Sequence, residues 1–315
     1  MKPDPIDGHP PGRSPHGTQR SSVPHPLPGA GVRWMLLLAA GLALGAALPL
    51  GKLAAADGVG PVAFVLLSVV ASGLLLALLG WCRHGLPARP WRLALFGTVS
   101  GLLGLAAPNT LAAWLSSEAG ASFAALAYTL PPLLTLAGGM AAGLEPPRWS
   151  RVASVGLGLA GALWLAWAHM EAGAVSLGAI LALMGIPAAI AAGNLYRACF
   201  LPSGVPAEWL GAAMALGASV LLLPVWSWSP PSMAGLDAGG LPWVGLQVLA
   251  AAAGAIAFFE LQRRASAVVM SFLGYVVALA GVVFGALLLD ESLPWQLAPA
   301  TALIVAGFWL VQRKP

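Results

Sequence analysis

Eight residues place polar groups, or a proline, within the long apolar stretches of this chain, and their chemistry suits binding rather than catalysis. They are Lys52, Asn109, Tyr128, Pro132, Asn194, Gln247, Ser271 and Tyr275. Ammonium, amide and hydroxyl groups donate or accept hydrogen bonds, and a proline inside a helix frees a backbone carbonyl that can accept them. We predict that these groups contact a small molecule that carries polar groups.

Each of these residues also has a purely structural interpretation. Lys52 can extend its ammonium group to water at a helix end. The side-chain amides can join neighbouring helices, since a buried amide needs a hydrogen-bond partner. The adjacent prolines Pro131 and Pro132 predict a helix kink near the middle of the bilayer, which can shape packing or act as a hinge. Tyr275 can anchor a helix at the membrane interface.

The groups that these stretches lack exclude other kinds of chemistry. No Asp, Glu or His is predicted in the middle of an apolar stretch. The sequence therefore does not favour proton transfer through a central carboxylate, a Ser–His hydrolase or a histidine metal site. It also has no phosphate-binding loop, so ATP hydrolysis is not expected. We predict a protein that is not an enzyme, with no catalytic residue, no metal and no cofactor.

The apolar stretches themselves are long enough to cross a membrane. Hydrophobic residues make up 59% of the chain and charged residues only 8%. A helix of about 20 apolar residues crosses the hydrocarbon core of a bilayer. The sequence predicts an all-α membrane protein with ten transmembrane helices, near residues 34–53, 60–81, 92–114, 120–143, 150–169, 176–197, 206–226, 241–259, 267–289 and 295–312.

The basic residues predict the orientation of these helices. Of the 15 Lys and Arg residues, all but Lys52 fall in the N-terminal segment, at the C-terminus or in every second connection. Arg197 is assigned in this way to the connection after the sixth helix. Basic segments stay in the cytoplasm during insertion, so both termini are predicted to be cytoplasmic. This orientation accounts for the net charge of +4, and we predict no nucleic-acid partner.

Two features lie outside the apolar stretches. Residues 1–32 are rich in Pro, Gly, Ser and His and poor in apolar residues, which predicts a disordered cytoplasmic tail. Cys82 and Cys199 fall at predicted cytoplasmic helix ends. Because the cytoplasm is reducing, we expect buried free thiols there rather than a disulfide.

The chain contains an internal repeat. Uncommon residues recur at matching intervals in its two halves, and the pairs are Lys52 with Arg197, Pro61 with Pro206, Glu145 with Glu291, Trp149 with Trp295 and Gly161 with Gly307. The predicted repeats are residues 33–172 and 173–315, each with five helices. Because five is odd, the second repeat enters the membrane from the opposite face. Inverted repeats of this kind are the structural basis of alternating access.

Several motifs resemble those of EamA-type proteins in the drug/metabolite transporter superfamily. Pro131-Pro132 is followed by Glu145 and a glycine-rich helix, and Pro49-Leu50-Gly51-Lys52 is followed by Pro61. Residues 257–292 resemble the same motif in the second repeat. The resemblance implies a secondary transporter of the bacterial inner membrane, frequently an exporter of amino acids or other small metabolites.

We therefore predict a multi-pass carrier whose partners are a small-molecule substrate and membrane lipid. Two alternatives stay open: a carrier of lipid-linked sugars or hydrophobic compounds, and a non-transporting membrane subunit that supports a partner enzyme. A homodimer also stays open, because Gly139 and Gly143 predict a seam of small residues within one molecule or between two.

Overall fold

The computed structural model describes residues 30–119, 127–128, 130–144, 146, 148–167, 176–228, 236, 239–289 and 297–312. These ranges contain helices and no strand. The α-helices are α1 (Ala30–Gly45), α2 (Ala47–Ala56), α3 (Pro61–His84), α4 (Pro90–Gly101), α5 (Ala107–Ala119), α6 (Pro131–Ala141), α7 (Trp149–Trp167), α8 (Leu177–Phe200), α9 (Ala207–Trp228), α10 (Leu241–Gln262), α11 (Ala267–Ser271), α12 (Leu273–Leu289) and α13 (Leu297–Gln312). A π-helical segment, Leu102–Ala106, joins α4 to α5.

Many of these helices can cross a membrane, as the composition predicts. Among the residues described, six stretches are long and apolar enough by length and composition: Gly31–Ala56, Val62–His84, Pro90–Ala112, Leu177–Phe200, Leu241–Gln262 and Ala267–Leu289. A shorter apolar helix covers Ala207–Leu223. The expectation of an all-α, multi-pass membrane protein is confirmed at this level.

Because α1 begins at Ala30, the predicted tail boundary at residue 32 is too late, and residues 1–29 lie outside the described ranges.

The double proline follows an interruption in the helical path. Ala127 is helical, Tyr128 lies in a turn and Leu130 in a bend, and Pro131 and Pro132 then occupy the first turn of α6. A missing backbone N–H costs nothing at that position, because the first amides of a helix have no partner inside it. The kink predicted at the prolines therefore takes the form of a break just before them.

The proposed Gly139–Gly143 seam is not a shared helix face, since Gly143 follows α6 in a turn with φ of 68°.

Helices of the first half, α1 to α7, pack mainly against helices of the second half, α8 to α13. The principal cross-half pairs are α7 with α13, α3 and α4 with α9, α1 with α10 and α12, α5 and α6 with α8, α2 and α3 with α10, and α6 with α11. The core is therefore formed between the halves rather than within each half.

Glycines permit the closest of these contacts. A Cβ atom on Gly97 of α4 would lie 2.3 Å from the carbonyl atoms of Ala213 in α9. A Cβ on Gly217 of α9 would lie 2.6 Å from Cα of Thr98, so the two backbones touch from both sides. Gly45 of α1 approaches Ala280 of α12 in the same way, at 2.5 Å. Small residues thus act as packing seams between the halves.

Candidate functional site

A buried arginine occupies the meeting point of several helices. Arg197 lies in the last turn of α8 and has only 2% of its surface exposed. Its assignment to a connection is therefore wrong. The helix continues through three further residues to Phe200, and its rotation turns Arg197 into the protein. A charge is rarely buried to this extent without a specific partner.

Arg197 begins a chain of hydrogen bonds that joins α8 to α6. Its Nη2 donates to Asn194 Oδ1 at 2.8 Å, and Asn194 Nδ2 donates to Thr135 Oγ1 at 3.3 Å. Asn194 and Arg197 are three positions apart, so they share one face of α8. Thr135 is placed by α6, which begins one turn earlier at the double proline. We call Arg197, Asn194 and Thr135 the Arg197 network.

Two further elements, α10 and the π-helical segment, border the guanidinium group. The ring of Phe258 in α10 lies 5.2 Å from its Cζ atom, which is a cation–π distance. A Cβ on Gly104 would come within 2.8 Å of Nη1, and one on Gly193 within 3.1 Å. These two glycines therefore provide the space that Arg197 fills. Gly104 belongs to the π-helical segment, a geometry that is frequent at functional sites.

The hydrogen bonds of Arg197 are incomplete. Its Nε and Nη1 atoms are buried and have no hydrogen-bond partner. A guanidinium group has five N–H donors and stays charged under all physiological conditions. An uncompensated buried charge of this kind is unfavourable. The arrangement therefore leaves a positively charged group with unused N–H donors between the two halves.

The predicted residues fall into three groups around this network. Asn194 is part of it, and Pro132 is buried one turn before Thr135 on α6. Asn109 and Tyr128 form a separate pair in which Tyr128 Oη donates to Asn109 Oδ1 at 3.2 Å. Tyr128 also lies beside α12, since a Cβ on Gly274 would be 3.5 Å from its carbonyl oxygen.

The remaining predicted residues lie on α2, α10, α11 and α12. Gln247 is buried on α10, and its Oε1 has no hydrogen-bond partner. Ser271 donates to the carbonyl of Val268 in its own helix at 2.7 Å. Tyr275 is 1% exposed and meets the edge of Phe272 with ring centroids 5.4 Å apart. Lys52 is exposed on α2. Their predicted roles in substrate binding stay predictions.

Sequence reasoning missed Arg197 and Phe258 as parts of a site. For Arg197 a signal was present, because its three-residue spacing from Asn194 places both on one helix face. Phe258 carried no such signal, since a phenylalanine in an apolar helix is usual. The repeat glutamates Glu145 and Glu291 lie outside the described residues.

Polar contacts connect the two halves at each end of α3. At its N-terminal end, Trp243 Nε1 donates to Asp57 Oδ2 at 2.8 Å. At its C-terminal end, Arg83 Nη1 lies 3.2 Å from Glu208 Oε1, and Trp209 Nε1 donates to the carbonyl of Gly85 at 3.1 Å. With 24 residues, α3 separates these contacts by about 36 Å.

A surface cavity lies beside the contacts at the C-terminal end of α3. Its volume is about 740 Å³, and its lining includes His84, Arg89, Arg92, Pro202 and Trp209. No residue of the Arg197 network lines it. The cavity and the network are therefore separate features. Within the described ranges, no group of three His, Cys, Asp or Glu side chains could hold a metal ion.

The comparisons with known proteins agree with the fold. Residues 33–167 match the model of the EamA-like transporter family. Over these residues the chain is similar to the EamA-like transporter family. The resemblance that the motifs predict is thereby confirmed. No curated protein matches the chain. A crystal structure of a protein with 20% sequence identity has a TM-score of 0.74, covering 90% of this chain and 96% of that one. At this identity the similarity supports the fold alone.

Proposed function

We propose that this chain is a secondary transporter of the inner membrane that exports a small metabolite, such as an amino acid, by alternating access. The observation that carries the proposal is the Arg197 network. It joins α6 of the first half to α8 of the second, at a depth that water does not reach in this conformation. Polar groups enclosed between two halves suit a carrier, because relative movement of the halves exposes them.

The packing of the helices supports two inverted five-helix repeats, residues 33–172 and 173–315. If each predicted helix of the first repeat is exchanged with its counterpart in the second, the observed pairs map onto one another. The pair α1–α12 corresponds to α8–α6, α1–α10 to α8–α5, and α4–α9 to α10–α3. The pairs α7–α13 and α3–α9 map onto themselves. A two-fold relation between the halves accounts for this pattern.

The contacts at the two ends of α3 fit alternating access. Asp57–Trp243 and Arg83–Glu208 each join a first-half residue to a second-half residue. Opening either end for a substrate separates one of these pairs while the other can stay closed. Each contact can break during transport, since a hydrogen bond to a charged group contributes only about 1.5–3 kcal/mol.

Transport by the purified protein tests the proposal. The protein is reconstituted into liposomes, and accumulation of labelled amino acids and other small metabolites is compared with that in empty liposomes. We expect protein-dependent flux for at least one class. Flux of only lipid-linked sugars or hydrophobic compounds would favour the carrier alternative. If no compound class shows flux and the activity of a partner enzyme depends on this chain, the membrane-subunit alternative replaces the proposal.

The predicted orientation can be tested with native cysteines. Contrary to expectation, Cys82 and Cys199 are exposed free thiols, in the last turns of α3 and α8. If the basic helix ends are cytoplasmic, a membrane-impermeant maleimide should label neither thiol in intact cells and both in opened membranes. The measurement is labelling of the single-cysteine variants C82S and C199S. In a cysteine-free chain, Ala56→Cys at the C-terminal end of α2, just before α3 begins, should be labelled in intact cells. The opposite pattern would contradict the orientation.

A further inference from the structure

We propose that Arg197 binds an anionic oxygen group, a carboxylate or a phosphate, of the transported molecule. This inference rests on the proposed function, because only a transporter moves the bound molecule across the membrane. The starting point is the unused donor capacity of Arg197. Nε and Nη1 together carry three N–H bonds, all buried and unpartnered, while Nη2 is held by Asn194.

The carboxylates whose side chains the structure places are occupied elsewhere. Asp57 accepts from Trp243, Glu208 pairs with Arg83 and His84, and Glu260 pairs with Arg263 and Arg264. The contacts of Arg197 are instead an amide oxygen and an aromatic ring, both uncharged. Among the side chains that the structure describes, the positive charge thus has no counter-charge in this conformation.

The geometry selects the chemistry of the partner. A guanidinium group is planar and forms paired, parallel hydrogen bonds with carboxylate and phosphate oxygens. Each edge that can form such a pair combines one N–H of Nη2 with an N–H of Nε or of Nη1. Asn194 takes one N–H of Nη2, so the other edge keeps two donors for a partner that approaches in the plane. A ligand without a negative charge would accept hydrogen bonds from these donors but leave the positive charge unbalanced. An anionic oxygen group accepts the hydrogen bonds and balances the charge.

The surroundings of Arg197 can admit an occupant when the halves move. Gly104 and Gly193 present no side chain to the guanidinium group. The same Cβ on Gly104 that would approach Nη1 would also lie 2.8 Å from the Cε atom of Met214, so Met214 borders the space beside the guanidinium group. An unbranched methionine side chain changes rotamer easily. Because Arg197 is 2% exposed, binding requires this movement, which couples recognition to the conformational change.

A structural role for Arg197 gives the opposite expectation for stability. If the network serves only to join α6 to α8, the neutral variant Arg197→Met loses a hydrogen bond and should unfold at a lower temperature. If Arg197 is a binding group, the ligand-free protein carries an uncompensated charge. Removing that charge with a side chain of similar length should then leave the unfolding temperature unchanged or raise it.

The test uses the purified full chain in detergent, with acetate and inorganic phosphate as probes and chloride at equal ionic strength as reference. We expect acetate or phosphate to raise the unfolding temperature of the wild-type protein, and the effective probe identifies a carboxylate or a phosphate site. The effect should disappear in Arg197→Met and be reduced in Arg197→Lys, which keeps the charge but lacks the fork. Arg92→Gln, at an exposed arginine, should respond like the wild type.

Several results would overturn the inference. They are no stabilisation by either anion beyond chloride, equal stabilisation of wild type and Arg197→Met, or a marked loss of stability in ligand-free Arg197→Met. Failure of the proposed function looks different. If acetate or phosphate raises the unfolding temperature only when Arg197 is present, but no flux is seen in liposomes, the anion site stands and transport is rejected. Flux only of molecules that carry neither a carboxylate nor a phosphate group keeps transport and rejects the anion site. For a transported anion, Arg197→Lys should reduce uptake about tenfold or more.

Discussion

The Gly97→Ala variant is expected to be less stable than the wild-type protein by about 2 kcal/mol or more, and to accumulate poorly in the membrane. The added methyl carbon would lie 2.3 Å from the carbonyl carbon and oxygen of Ala213 and 2.5 Å from its Cβ. The two carbonyl atoms belong to the backbone of a packed helix, and alanine has no side-chain rotamers, so rotation of a side chain cannot relieve the overlap. The helices α4 and α9 must separate instead, which weakens the contact between the two halves.

The loss of stability expected for Gly97→Ala is informative because the same change at an open helical position should raise stability. In an open helical position, alanine stabilises a helix relative to glycine by about 0.5 kcal/mol or more. Gly156 on α7 is such a position, because a Cβ there has no neighbour within 4 Å. Gly156→Ala is therefore the matched control, with stability equal to or above wild type. Unfolding temperature in detergent measures both.

A second-site change extends the same test. Ala213→Gly in the Gly97→Ala background removes the 2.5 Å contact between side chains but keeps the overlap with the Ala213 carbonyl. Only partial recovery is expected. Wild-type stability in the single Gly97→Ala variant would show that α4 and α9 are farther apart than this structure places them.

The Asn194→Asp variant is expected to be more stable without ligand and nearly inactive in transport. The new carboxylate would accept the 2.8 Å hydrogen bond from Arg197 Nη2 and supply the missing negative charge. The hydroxyl of Thr135 can reverse its role and donate to the carboxylate. Pairing the buried charge should raise the free energy of unfolding by about 1 kcal/mol or more. Uptake should fall about tenfold or more, because the internal carboxylate competes with the substrate anion.

The same substitution at Asn109 provides the stability control. Asn109 is exposed and accepts its hydrogen bond from Tyr128 through the Oδ1 atom, which aspartate also has. Asn109→Asp should therefore leave the unfolding temperature unchanged. A gain in stability for Asn194→Asp with undiminished uptake would show that Arg197 anchors the helices without touching the substrate.

Much of the architecture could be predicted from local sequence. Apolar stretches such as 60–81 and 241–259 predict helices that α3 and α10 confirm, because membrane insertion depends on the composition of each stretch by itself. The motif around Pro131–Pro132 led to the family resemblance, and the helical path breaks at Leu130, just before these prolines. A proline pattern predicts such an interruption because proline lacks the backbone N–H that a helix interior needs.

The candidate site was only partly accessible to this reasoning. Asn194 stood out because an amide in an apolar helix needs a partner, and the structure supplies Thr135 and Arg197. Arg197 was interpreted through its charge and its nearness to a helix end, which predicted a water-exposed place. Its burial follows from the rotation of α8 against α6 and α10. Neither the contact with Phe258 nor the space left by Gly104 can be read from neighbouring residues in the chain.

The sequence by itself determined that this protein is helical, crosses a membrane and resembles the EamA-like transporter family, because hydrophobicity and motifs act within single stretches of the chain. Only the tertiary structure decided that Gly97 meets Ala213 and that Arg197 is enclosed with donors to spare. Those outcomes depend on which faces of distant helices come together. The energy of such contacts depends on separations of a few tenths of an ångström, and spacing along one helix does not encode them.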